Sequence, residues 1–115
     1  MIKKNLLPAL ILLLLHLHLA ADDSIPVAEI KREEPVDFDK EILPILRQNC
    51  LACHNSTDAE GDVILETVEK ILESEAVVPG KPDDSSLLRL SAHLDDPVMP
   101  PEDNEVKAKN MTSQQ

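Results

Sequence analysis

Cys50-Leu51-Ala52-Cys53-His54 is the stretch on which the fold turns. Its two cysteines are the only ones in 115 residues, so a disulfide framework is excluded. The order Cys-x-x-Cys-His is the pattern for attachment of a c-type haem. Chemistry explains the spacing. Two thiols held two residues apart can each add across one vinyl group of a porphyrin, while the adjacent imidazole turns under the macrocycle to bind the iron. A pair set at the end of a helix would give those ligands a rigid base.

The same residues admit other readings. A zinc site could use Cys50, Cys53, His54 and His93, although adjacent Cys53 and His54 seldom both reach one tetrahedral ion. A thioredoxin-like redox pair needs a preceding strand in a βαβ frame, and no such strand is legible before Cys50. A functionless Cys50–Cys53 disulfide would close a strained loop and leave His54 unexplained. For the sixth position of a haem iron the candidates are Met99, His93 and Met111, with an open position as the further alternative. Met99 is favoured, because the following Pro100 and Pro101 hold it in an extended loop that could present its sulfur at a fixed point. His93 is expected on the third helix as a partly exposed polar residue near the haem edge.

Upstream, Lys3-Lys4, the apolar run Leu6 to Leu15 and the small residues Ala20-Ala21 before Asp22-Asp23 have the form of a secretory signal peptide over residues 1–21. Cleavage after Ala20 or Ala21 implies export to the periplasm or cell surface, and an uncleaved segment would instead tether the chain to a membrane. Residues 22–35 mix charges with two prolines and read as a linker, and residues 36–115 as the ordered domain. The chain carries a net charge of −11, one aromatic residue (Phe38) and no Trp. So small a domain with so little aromatic bulk calls for a staple or a cofactor at its centre, and it should fold poorly without one.

Within the domain, Asp37 can cap a helix over Phe38 to Asn49 with Phe38, Ile42, Ile45 and Leu46 on one face. Pro44 should bend that helix or delay its regular start. Residues 55–62 are a polar loop, Val63 to Leu65 a short extended segment, and Thr67 the cap of a two-turn helix through Val68, Ile71 and Leu72. Pro82 suits the first position of a third helix running through Leu87, Leu88, Leu90, Ser91 and Leu94. Thr112-Ser113-Gln114-Gln115 has the form of a capping box. The glycosylation sequons at Asn55 and Asn110 are taken as chance matches, because a glycan at Asn55 would obstruct the neighbouring His54.

Together these residues resemble the planctomycete-type cytochrome c domain, a relative of class I cytochromes c. The likeness rests on Phe38 to Leu46, Cys50 to His54, Val78-Pro79-Gly80-Lys81-Pro82 with Ser85, and Met99-Pro100-Pro101. It implies an all-α, cytochrome c-like fold of three to four short helices around one covalently bound haem c. It further implies that Cys50 and Cys53 form the thioethers, that His54 is the proximal ligand and that Met99 is the distal one. Such domains continue past a Thr like Thr112 into a closing helix, so a truncated C-terminal helix is expected. The implied function is transfer of single electrons between redox proteins, with no nucleic acid involved. The acidic charge favours partners with a basic docking patch. The alternative is a peroxide-reducing enzyme or gas sensor with an open sixth position.

Overall fold

The computed structural model describes residues 22–115, so the signal peptide expected over residues 1–21 lies outside the described residues. Among them the architecture is all-α: three short α-helices joined by helical turns and long loops, with no strand. Asp37 opens the first helical segment by accepting a hydrogen bond from the Lys40 amide at 3.1 Å. The chain then winds as a wide π turn over Phe38–Ile42, in which the Leu43 N–H reaches back to the Phe38 carbonyl. Regular α1 follows over Leu43–Asn49, with Pro44 in its first turn. The proline thus delays the regular helix, as expected: a ring at residue 44 would crowd the Lys40 carbonyl in a tight α turn, and the wider winding separates them.

Thr67 caps α2, Val68–Glu73, its hydroxyl accepting from the Lys70 amide at 3.2 Å. The third helix departs from expectation. Pro82–Asp84 form a separate 3₁₀ turn, and α3 spans only Ser86–Ser91. Ser85 lies between them in an extended conformation, 3% exposed. Its hydroxyl accepts from the Val78 amide at 2.9 Å and donates to the Lys81 carbonyl at 2.9 Å, and it is the Ser85 backbone, at φ −88° and ψ 115°, that interrupts the helix. His93 and Leu94 consequently fall beyond α3. His93 has φ of 57° and Leu94 is exposed.

The core is small. Leu46, Leu65, Ile71 and Ala76 are buried together, with Phe38, Ile42, Cys50, Leu51, Val63, Val77 and Leu87 packed against them. Ile45, expected on the same face, is only half-buried and stands outside this cluster. Asn49 is buried instead, its amide donating to the Ile45 carbonyl at 2.9 Å. Residues 22–35 form no helix, yet the Ile25 N–H bonds to the Ala92 carbonyl and Arg32 pairs with Glu41, so this segment is docked at both ends. Thr112 and Gln115 bond reciprocally: the Thr112 N–H donates to Gln115 Oε1 at 2.9 Å, and the Gln115 N–H to Thr112 Oγ1 at 3.3 Å. That is capping-box geometry.

Candidate functional site

Cys50 caps the C-terminus of α1, its amide donating to the Leu46 carbonyl at 2.8 Å. The next residues keep winding. Cys53 and His54 both donate their amides to the Cys50 carbonyl, at 3.2 and 3.1 Å. The two sulfurs and the imidazole are therefore held on one tight turn anchored to the helix end. Asn55 braces the turn: its amide donates to the Leu51 carbonyl at 2.8 Å, and its oxygen accepts from the Thr57 and Asp58 amides. Glu66 closes the loop by accepting from the Ser56 amide and hydroxyl.

His54 is half-buried and its Nδ1 lies 3.3 Å from the Val63 carbonyl. A carbonyl can only accept, so this contact is a hydrogen bond in the tautomer that carries its proton on Nδ1, and that tautomer leaves the Nε2 lone pair available to a metal. The segment carrying Val63 is pinned from two sides. The Leu65 N–H donates to the His54 carbonyl at 3.0 Å, and the Ile64 N–H to the Ser74 hydroxyl at 3.0 Å. Burial pushes the Cys50 thiol up to about 11, so it is a neutral thiol at physiological pH.

Met99 comes to the same place from the other side of the fold. Its amide donates to the Leu90 carbonyl at 3.0 Å, which ties the Met99-Pro100-Pro101 loop to α3. Cys50, Cys53, His54 and Met99 all line one cavity of about 790 Å³. Val63 and Leu65 from the extended segment and Leu87 and Leu90 from α3 supply aliphatic walls. The volume falls in the range of small-molecule and cofactor sites. Aliphatic walls with two thiols, an imidazole and a thioether facing one space fit a large flat apolar group that carries a metal. Asp58, Glu60, Asp103 and Glu105, all exposed, add a carboxylate rim, and among the described residues no Lys or Arg lines the cavity.

Of the other candidates, Met111 also lines the cavity and His93 does not. The structure therefore corrects the placement of His93: it is half-buried past the end of α3, with a buried Nε2 that finds no partner among the described residues. The zinc set of Cys50, Cys53, His54 and His93 is not assembled, and no cluster of three or more His, Cys, Asp or Glu poised for a metal ion occurs among the described residues. Sequence reasoning missed Ser74 and Glu66. Both act through backbone amides distant in sequence, and no spacing rule marks them. No helix of the described residues is long and apolar enough to cross a membrane.

Residues 50–103 match the model of the family described as Planctomycete cytochrome C. No curated protein and no solved structure matches the chain.

Proposed function

Residues 50–103 carry a planctomycete cytochrome c domain, which points to a haem-binding electron-transfer protein; on that premise we propose an exported c-type cytochrome that holds one haem and passes single electrons between redox partners. The observation that carries the proposal is the gathering of Cys50, Cys53, His54 and Met99 around one aliphatic cavity. A haem held there supplies a reversible one-electron iron couple. Each residue has a separate task. Cys50 and Cys53 anchor the group through thioethers at the end of α1. His54, its Nδ1 proton engaged by Val63, offers Nε2 as the proximal ligand. Met99, fixed by the hydrogen bond that its N–H donates to the Leu90 carbonyl, offers its sulfur as the distal ligand. Val63, Leu65, Leu87 and Leu90 exclude water from the iron.

Export is supported by the signal-like residues 1–21, which suit a periplasmic or cell-surface protein. The net charge of −11 and the carboxylates at the cavity rim favour a redox partner with a basic patch, and make the association sensitive to salt.

The test of the ligand set is spectroscopic. The full chain is expressed in a host that attaches haem to Cys-x-x-Cys-His segments, alone and as Met99→Ala. The parent is expected to show a low-spin ferric spectrum with a sulfur-to-iron charge-transfer band, and Met99→Ala to lose that band. Survival of the band in Met99→Ala removes Met99 as ligand. Stoichiometric zinc without iron in the parent overturns the haem reading altogether.

A further inference from the structure

Val63 and Ile64 share one peptide group, and that group joins two hydrogen bonds that would otherwise look unrelated. Its carbonyl, on Val63, accepts a hydrogen bond from His54 Nδ1 at 3.3 Å. Its N–H, on Ile64, donates to the Ser74 hydroxyl at 3.0 Å. Ser74 in turn donates its own hydroxyl proton to the Lys70 carbonyl at 2.7 Å, in the last turn of α2. A continuous chain of donors and acceptors thus runs from the end of α2 to the imidazole. Amides only donate and carbonyls only accept, so the Ser74 hydroxyl accepts from Ile64 and donates to Lys70, and His54 completes the chain in its Nδ1-protonated tautomer.

A peptide group is planar, with its N–H and C=O pointing in opposite directions, so fixing one end fixes the other. The hydrogen bond that Ser74 accepts from the Ile64 N–H therefore sets the direction of the carbonyl that faces His54. It also polarises that carbonyl, since hydrogen bonds in series strengthen one another in a partly buried setting. We propose that Ser74 is a positioning residue for His54, acting through the Val63–Ile64 peptide group to hold the imidazole in the Nδ1-protonated form and to tune its donation to iron. The inference rests on the proposed role of His54 as iron ligand. Its consequence has a sign. A firm Nδ1–H···O bond makes the imidazole a stronger donor and favours ferric iron, so loss of the Ser74 hydroxyl should raise the midpoint potential.

The test uses the full haem-loaded chain as parent, Ser74→Ala and Ser74→Thr. Ser74 is only half-buried, so the added methyl of threonine has room while the hydroxyl is kept. Two quantities are read: the midpoint potential, and the exchange rate of the His54 Nδ1 proton by NMR in the reduced state. Ser74→Ala is expected to raise the potential and to speed that exchange roughly fivefold, the factor that loss of one typical hydrogen bond supplies. Ser74→Thr is expected to restore both. A purely structural role for Ser74 would lower stability and, through more frequent opening, speed exchange, but would leave the potential where it is, so an unmoved potential overturns the proposal whatever the exchange does. If Ser74→Ala does not fold, the parent still decides: the Ile64 amide proton and the His54 Nδ1 proton should show matching protection. Free exchange at Ile64 beside a protected His54 overturns the proposal. An unchanged potential in a folded Ser74→Ala overturns it as well, with the haem assignment left standing. A parent that takes up no haem overturns the haem assignment and this inference with it.

Discussion

Leu65, 2% exposed, is the largest fully buried side chain among the described residues, and it faces two ways. One side packs with Leu46, Ile71 and Ala76, and the other lines the cavity. Leu65→Ala removes an isopropyl group worth about 2.4 kcal/mol at ~0.8 kcal/mol per carbon. A void is added to that, because Leu46 and Ile71 are held by their helices and cannot close over it. The expected cost in the haem-loaded protein is about 3 to 4 kcal/mol, inside the range of roughly 2.7 to 5 for buried Leu→Ala changes. For a domain whose buried apolar side chains are so few, this is a large part of a total of about 5 to 15 kcal/mol. Urea denaturation followed by far-UV circular dichroism measures it, with Leu72→Ala as the control. Leu72 lies on the same short helix as Ile71 but is 43% exposed, and its truncation should cost less than about 1 kcal/mol. Equal costs for the two variants, or a Leu65→Ala cost below about 1 kcal/mol, would refute the assignment of the core.

Two further outcomes are expected. Hydrogen bonding from Arg32 holds the Glu41 carboxyl below the usual carboxylate range, and Lys40 and Arg89 do the same for Asp37 and Asp95. The folded state thus favours the charged carboxylates, and the unfolded chain takes up protons first as the pH falls. The stability these groups contribute is present above the ordinary carboxylate pKa, and is lost through the acid range below about pH 5. Glu41→Gln should lose less stability than the parent between neutral and acid pH; identical losses in urea titrations would contradict this. In a host without haem-attachment machinery, the chain should show reduced helicity and a broad, non-cooperative thermal transition, because a cavity of about 790 Å³ adjoins so small a core. A sharp cooperative transition in the haem-free chain would count against it.

Much of the site was legible because its signals are local. Cys50, Cys53 and His54 are placed by sequence adjacency alone, and the caps at Asp37 and Thr67 hold as read. Pro44 acts as the loss of its N–H and the bulk of its ring require. What failed was set by side chains bonding to distant backbone. Pro82 suggested one long third helix, yet the chain divides at Ser85, whose extended backbone and Val78-bonded hydroxyl separate a 3₁₀ turn from a short α-helix. His93 was placed on a helical face that ends before it, so the expectation that it borders the haem fell with the helix. Met99 is favoured over Met111 by its two following prolines, and the structure brings both to the cavity, because each reaches it through a loop whose path no periodicity marks. The family match begins at residue 50, so the segment Phe38 to Leu46 stands on its periodicity and on its packing against the core, with Phe38, Ile42 and Leu46 in contact and Ile45 apart.

The central claim is that Cys50, Cys53 and His54 hold a covalent haem, and intact mass under denaturing conditions tests it most directly. The full chain from a haem-attaching host should carry one haem increment that survives denaturation, and Cys50→Ala should lose it or retain it only in part. A parent mass equal to that of the bare polypeptide, with no iron in the purified protein, would contradict the account.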